Sequence, residues 1–381
     1  MKGNRIKERN IMRARKWIFA LLCLLLWAAS PGEAFAAAEP GLEEQIAEKS
    51  GMTKAIESLD KGTRAMLDQW GVDGLGKGGL DGGRVFESIC RLVREKLTGP
   101  LKACGALLGI LLLCRLASAM GQGEPGQAVG VIGAAACGVV AAPHMLGLLS
   151  LCTATAESAS AFLLASVPAY TALLTASGSP AAGGGYSFLT LGVGNLLPVL
   201  TSGLLLPLLR IFLALSAAGC VSGLAVQKLA ASLYSFVKWL LLLAVTLFSG
   251  VLSVQTILNT QLDAAGSKAV KLVASSAIPI VGGALGDAMG AIQGSVHVVR
   301  SGAGAFGMLA ALCLFAPAMI EASLWAGVCT VGQLAADLCG VPASPLLGAC
   351  ANSAKLVLAV LASLCVVCLT CTGVVLFAKG G

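Results

Sequence analysis

The sequence predicts an all-α, polytopic transmembrane protein with an N-terminal signal peptide and a short extracytoplasmic region of amphipathic helices. Hydrophobic residues make up 57% of the 381 residues and charged residues only 12%, whereas soluble domains carry roughly 25% charged residues. Thirty of the 45 charged side chains lie in residues 1–102. The remaining residues therefore cannot form the surface of a soluble domain.

Residues 1–36 are predicted to be a signal peptide. Seven of the first sixteen residues are basic, an apolar stretch runs from Trp17 to Ser30, and small residues at Ala34 and Ala36 form a cleavage pattern. Cleavage is expected after Ala36, with an uncleaved anchor as the alternative, and both deliver the following segment outside the cytoplasm. Without the basic start the chain is nearly neutral, so nucleic acid is not an expected partner.

Residues 37–102 are predicted to form the extracytoplasmic region, with two amphipathic helices joined by a Gly-rich linker at 71–83. Apolar residues recur at helical spacing between Leu42 and Trp70, with a break predicted at Gly51. The second helix is predicted over Arg84–Leu97 and should end at Gly99-Pro100. Its basic residues suggest a helix at the outer membrane surface or a docking face for a partner; they include Arg84, Arg91, Arg94, Lys96 and Lys102.

Residues 103–381 are predicted to be a membrane domain of six to eight spans. The candidates are 103–120, 127–151, 158–177, 187–209, 211–226, 232–255, 302–335 and 346–377. The 187–226 block fits either two spans or one span with a re-entrant hairpin. Ionisable residues inside these spans are costly in lipid and should face protein or water, or snorkel from span ends; they are Arg115, Lys238, Glu321 and Lys355.

No motif predicts a catalytic, cofactor or metal site. Cys365, Cys368 and Cys371 have a metal-like spacing, but they lie in an apolar helix without His or carboxylate neighbours, so helix packing is the favoured interpretation. Gly71–Gly78 lacks the Ser or Thr of a phosphate-binding loop. Asp287 falls in a sequence close to that of intramembrane aspartyl proteases, but a second aspartate motif is missing.

Glycine spacing is the most informative pattern in the membrane domain. Gly282, Gly286, Gly290 and Gly294 would line one face of a helix, and Gly126, Gly130, Ala134, Gly138 and Ala142 repeat the pattern. Such a face serves either ordinary helix packing or self-association into an oligomeric ring. The surrounding segment 256–300 is polar, which suits a surface helix, a re-entrant segment or a helix along a water-filled path. Asp263, Lys268 and Asp287 are the candidates for a polar lining.

The stretch Val251–Gly304 resembles the stage III sporulation protein AE family of endospore-forming bacteria. The likeness is most specific over about 185–305 and includes the run from Asn195 to Pro198. It implies a component of a secretion-like assembly in the mother-cell membrane around the developing spore. No catalytic residues come with the resemblance.

The expected function is therefore a non-enzymatic membrane component of a channel complex between mother cell and forespore, needed for late forespore development. Its implied partners are other membrane proteins of the stage III assembly and the lipid bilayer, with homo-oligomerisation as a further expectation and no cofactor. The alternative is a small-solute permease with a midplane site formed by segment 256–300 and Asn195. An intramembrane enzyme built on Asp287 is the third, least favoured alternative.

Overall fold

A computed structural model describes residues 52–71, 82–120, 124–177, 179–222, 225–248, 250–251 and 282–377. Of these, 82, 120, 124–128, 220–222, 282–301 and 376–377 are described by their backbone alone. All regular structure in these ranges is helical. The helices are α1 (Met52–Glu57), α2 (Lys61–Gln69), α3 (Gly82–Met120), α4 (Glu124–Ala176), α5 (Pro180–Pro198), α6 (Leu206–Ser222), α7 (Ala225–Phe248), α8 (Gly282–Cys339) and α9 (Ser344–Phe377). A π-helical segment, Val199–Leu205, joins α5 to α6.

Six helical stretches in the described ranges are long and apolar enough to cross a membrane, which agrees with the predicted six to eight. They are Gly83–Ala119, Val129–Ala176, Pro180–Gly219, Ala225–Phe248, Gly302–Cys339 and Ser344–Val375. The all-α membrane fold is thereby confirmed. The predicted signal peptide, 1–36, lies outside the described residues.

Two predicted breaks between spans are wrong. Spans 127–151 and 158–177 are one helix, α4. The polar residues between them do not interrupt the helix, because Thr153 and Thr155 donate their hydroxyl hydrogens to the carbonyls of Leu149 and Leu151 at 3.2 and 2.8 Å. A hydroxyl satisfied by its own helix can remain in an apolar environment.

The 187–226 block is also continuous as far as the structure describes it, up to Ser222, and neither a loop between two spans nor a re-entrant hairpin interrupts this part. Proline removes a backbone donor and crowds the carbonyl four residues earlier, and the predicted division between 187–209 and 211–226 follows Pro198 and Pro207. Instead the chain widens into the π segment, where the Leu206 N–H bonds to the Thr201 carbonyl five residues back. The wider turn accommodates both prolines without ending the helical run.

The N-terminal helices also differ from prediction. A break that was not predicted falls at Ser58–Asp60, where Asp60 caps α2 by accepting hydrogen bonds from the Gly62 and Thr63 amides. The break predicted at Gly51 lies outside the described residues. The end predicted at Gly99-Pro100 is wrong, since α3 continues through both residues. Pro100 is buried, and packing around it maintains a helix that local preference would end.

Two apolar clusters hold the helices together. The first, here called the tyrosine cluster, joins α1, α2, α4, α5, α8 and the end of α9; it includes Leu67, Trp70, Phe162, Tyr170, Tyr186, Phe306 and Val375. The second, the hairpin cluster, joins α3, α4 and the α8–α9 turn; it includes Leu107, Leu111, Cys137, Ala336, Val341 and Leu347. Gly340, at φ +67°, makes that turn, a conformation that glycine adopts without strain.

Tyr170 is the central polar contact of the tyrosine cluster. Its hydroxyl donates to the Ala303 carbonyl at 3.0 Å, and its ring meets Tyr186 edge-on at a centroid distance of 5.7 Å. This approach needs Gly307, because a Cβ built there would collide with the Tyr170 hydroxyl and lie 3.1 Å from Thr372 Cβ. The absent side chain at Gly307 therefore lets α4, α8 and α9 meet closely.

We predict that Gly307→Ala destabilises the protein by about 1–3 kcal/mol through overpacking. Tyr170→Phe removes the atom nearest to the new methyl group. The double variant Gly307→Ala/Tyr170→Phe should therefore lose less stability than the sum of the losses in the two single variants. Melting temperatures of purified protein in detergent measure both effects. Gly327→Ala in the same helix is the control, since no atom lies within 4 Å of a Cβ built there; equal stability of Gly307→Ala and this control would contradict the packing.

Candidate functional site

A half-open cavity lies where the N-terminal helices meet the membrane-type helices. Most of its surface is apolar, and it is here called the polar cavity after the charged and polar side chains among its lining residues. It has a volume of about 570 Å³ and is bounded by α2, the first turns of α3, and the middle of α4 and α8. Its polar lining comprises Asp60, Thr63, Gln69, Ser88, Arg91, Glu95, Thr155 and Ser158, and Leu314, Pro317 and Ala318 form the α8 wall. Side chains of both charge signs thus line one space.

The fold places α2 at this cavity through its apolar side. Leu67 and Trp70 are buried in the tyrosine cluster at 3% and 4% exposure. Across the cavity, the Ser88 hydroxyl lies 3.4 Å from Gln69 Oε1, which links α2 to α3. Arg91 forms an exposed 3.4 Å pair with Glu87 one turn earlier. The cavity can therefore hold water or a polar group between the N-terminal helices and the bundle.

An ion pair at the edge of this cavity joins α3 to α8. Lys96 Nζ donates to Glu321 Oε2 at 2.8 Å, and the two side chains are 39% and 26% exposed. Glu321 follows Pro317 by one turn, and Lys96 follows the cavity residue Glu95. An ionised carboxylate inside a predicted span is costly unless it is paired, so the pair explains how α8 carries Glu321.

The other ionisable residues predicted inside spans have different surroundings. Arg115, Lys238 and Lys355 are all exposed. His144 is exposed too, and its ring stacks on Trp325 at a centroid distance of 4.2 Å. Of the four ionisable residues singled out from the sequence, only Glu321 forms an ion pair in the described part of the chain.

The predicted glycine face lies at the start of α8. Gly282, Gly286, Gly290 and Gly294 belong to its helical backbone, as does Asp287, which agrees with the expected helix. Their side-chain surroundings, together with Asp263 and Lys268, lie outside the described residues. The structure therefore leaves both the packing face and the polar lining as predictions.

The second glycine face packs within the molecule where it is described. A Cβ at Gly130 would lie 2.9 Å from Pro342, and one at Gly138 would lie 3.1 Å from Leu346. Ala134 is buried in the hairpin cluster, while Ala142 is exposed. Gly130 and Gly138 thus let α4 approach the α8–α9 turn, which favours the packing interpretation for this face.

The cysteines of α9 are apolar packing residues. Cys365, Cys368 and Cys371 are exposed by 5%, 0% and 0%. Within the described ranges, no three His, Cys, Asp or Glu side chains are arranged to hold a metal ion. Their burial agrees with helix packing as the role of this spacing.

The sequence did not indicate the cavity or the partner of Glu321. Lys96 and Glu321 lie 225 positions apart, and no local sequence pattern pairs residues at that separation. Thr155 lies in the polar stretch 152–157, where the sequence predicts a break between two spans, and Ser158 follows this stretch directly. That interruption was the one signal that could have indicated a polar wall.

We predict that Lys96→Gln and Glu321→Gln each destabilise the protein, because each leaves the other charge unpaired beside an apolar core. The double variant Lys96→Gln/Glu321→Gln should lose less stability than the two single losses together, with a coupling energy of about 1–2 kcal/mol. Thermal unfolding in detergent measures this double-mutant cycle. The Arg91–Glu87 pair is the matched control and should couple by only about 0.3–0.5 kcal/mol. Equal coupling in the two cycles would contradict a special role for the Lys96–Glu321 pair.

Comparison with known proteins agrees with the resemblance seen in the sequence. The family model described as stage III sporulation protein AE matches residues 73–379. Neither a curated protein nor a solved structure matches the chain. The match takes in α3 to α9 and all six candidate spans, and the family is not a known enzyme family. The protein is thus a multi-pass membrane protein that belongs to the stage III sporulation protein AE family.

Proposed function

We propose that the protein is a non-enzymatic membrane component of the secretion-like channel complex between mother cell and forespore, needed for late forespore development. The observation that carries this proposal is the family match over residues 73–379, together with six helices able to span a membrane. In this proposal the protein is located in the mother-cell membrane around the forespore, and its partners are other membrane proteins of the stage III assembly.

In this proposal residues 1–36 direct export as a signal peptide, residues 37–102 face the space outside the mother-cell cytoplasm, and residues 103–381 form the membrane domain. Packing of α1 and α2 on α4 and α8 supports a rigid extracytoplasmic surface rather than a free tail. Such a surface could hold partner proteins at a fixed distance from the membrane.

The conduit itself is assigned to the start of α8 and the segment before it. The face formed by Gly282, Gly286, Gly290 and Gly294 packs helices tightly around or beside the path, in a homo-oligomer or with partner chains. Asp263, Lys268 and Asp287 contribute its polar lining. The helical backbone from Gly282 onward supports a continuous face at this four-residue spacing.

A small-solute permease is the second candidate, and the polar cavity is the observation that favours it. The Asn195 amide, part of its expected midplane site, donates to the Leu191 carbonyl of its own helix at 2.7 Å, which leaves it less available to a solute. Substrate-specific flux through the purified protein in liposomes would support the permease. Inactivity without partner proteins favours the channel component.

We predict that deletion of the gene in the source organism permits engulfment of the forespore but blocks its later development. A missing channel component should stop development only after the forespore is enclosed. Microscopy with a membrane dye scores engulfment, and counts of heat-resistant spores score completion. Normal numbers of resistant spores would contradict the proposed function.

We predict that Gly286→Leu/Gly290→Leu prevents complex formation while the chain still inserts into the membrane, because two bulky side chains would separate the packed helices. Co-purification with the other stage III membrane proteins measures assembly, and membrane fractionation measures insertion. Gly105→Leu/Gly109→Leu is the control, since these glycines share the spacing but have no atom within 4 Å of a built Cβ. Undiminished assembly of the Gly286/Gly290 variant would refute the glycine-face role.

A further inference from the structure

One side of α5 faces away from the bundle and carries large apolar side chains. Phe188 and Val199, at the end of α5, are 77% and 63% exposed, and Leu191 and Leu196 are 45% and 54% exposed. At about 100° per residue, these four side chains lie on one half of the helix, here called the outer face. Apolar side chains exposed together in this way must be covered by lipid or by protein.

The opposite side of α5 packs on α4 and is joined to it by hydrogen bonds. The Ser187 hydroxyl lies 2.6 Å from the Thr171 hydroxyl. Ser160 donates to the Gly194 carbonyl at 2.6 Å, and this carbonyl lacks the usual amide donor because residue 198 is proline. Polar groups on the inner side of α5 thus bond to another helix of the same chain.

Asn195 lies in the middle of the outer face and has no such partner. Its side chain is exposed, one turn from both Leu191 and Val199. One amide hydrogen is donated to the Leu191 carbonyl at 2.7 Å. Within the described ranges, no group donates to Asn195 Oδ1 and none accepts its second amide hydrogen. The outer face therefore presents one free acceptor and one free donor.

The outer face favours a protein cover in hydrocarbon and in water alike. Helix α5 belongs to the candidate span Pro180–Gly219, and an unpaired amide carbonyl is costly in hydrocarbon. There Asn195 needs a hydrogen-bond partner from another helix. In water, the exposed apolar side chains around Asn195 are typical of a protein interaction site. Both environments therefore favour a second helix against this face.

Two glycines on the outer face leave room for such a helix. Gly184 and Gly192 are exposed, and no atom lies within 4 Å of a Cβ built at either position. Gly192 follows Phe188 by one turn, so a recess lies beside the most exposed ring of the face. Small residues allow two membrane helices to approach closely enough for hydrogen bonds between them.

We propose that the outer face of α5 binds the outer face of a second copy of this chain. A primary amide both donates and accepts, so the free groups of two Asn195 side chains can satisfy each other. Copies inserted into a membrane share one orientation, and a twofold axis along the membrane normal brings each residue opposite itself. No Asp, Glu, Lys or Arg occurs in 180–209, so two identical faces meet without charge repulsion.

This contact goes beyond the proposed function. It uses a different surface from the face formed by Gly282, Gly286, Gly290 and Gly294, and it requires no other protein of the stage III assembly. Pairing can therefore be measured on the purified protein, and its outcome does not depend on the effect of the gene deletion on spore development.

The test counts the copies that associate in lipid vesicles. The full-length protein with a C-terminal fluorescent tag is reconstituted in phosphatidylcholine at several protein-to-lipid ratios, and photobleaching steps count the chains in each particle. The wild type should form pairs. Asn195→Leu should weaken pairing by about tenfold, because each pair loses two reciprocal hydrogen bonds. Gly192→Leu should abolish pairing, since a bulky side chain fills the recess.

The control is Gly147→Leu. Gly147 is exposed on α4, and no atom lies within 4 Å of a Cβ built there, so this change should leave pairing intact. Single chains in the wild type at every ratio overturn the proposal. Undiminished pairing in both outer-face variants, or an equal loss in the control, also overturns it.

A photocrosslink in the purified protein identifies what covers the outer face. Phe188→p-benzoylphenylalanine should yield a product with twice the mass of the chain. The same replacement at Phe236, which is 49% exposed on α7, should not. A crosslink within a single chain, or to lipid alone, overturns the proposal, because another segment of the chain or the bilayer then covers this face.

Discussion

The ion pair between Lys96 and Glu321 is the interaction on which the arrangement of the N-terminal helices depends. It fixes the register of α3 against α8, and that register sets which turns of α3 face the polar cavity. An acidic residue in the middle of α8 is tolerable only because a lysine from another helix neutralises it. The pair thus allows a helix of the membrane domain and a charged N-terminal segment to share one packed surface.

Small residues make the rest of the packing close. At Gly307 and Gly130, the side chains of other residues occupy the space where a Cβ would lie: Tyr170 and Thr372 at Gly307, and Pro342 at Gly130. Cys137, Cys368 and Cys371 are fully buried and fill positions between the helices as small apolar side chains. Because apolar association is weak inside lipid, close van der Waals contact of this kind supplies much of the attraction between helices.

Composition predicted the membrane class and the helical fold, because both depend on hydrophobicity summed over long stretches. Residues that often end helices, such as proline and clustered polar residues, predicted the helix ends less reliably. Pro100 and the polar residues at 152–157 were interpreted as ends, yet buried packing and hydrogen bonds within the helix carried the chain through both. Asp60 marks the start of α2, since its carboxylate satisfies the amides of Gly62 and Thr63. The cavity and the partner of Glu321 depend on contacts between distant residues, which periodicity does not encode.

The separation of 225 positions between Lys96 and Glu321 also has a consequence for biosynthesis. The ribosome completes α1, α2 and α3 long before it makes their partner surface on α8. Until then the lysine has no carboxylate, and Leu67 and Trp70 lack the Phe306 side of their cluster. Part of the apolar surface of α1, α2 and α3 therefore stays uncovered while most of the chain is inserted. Final closure of the bundle belongs to the last stage of synthesis, and helper proteins that shield such surfaces would act in that interval.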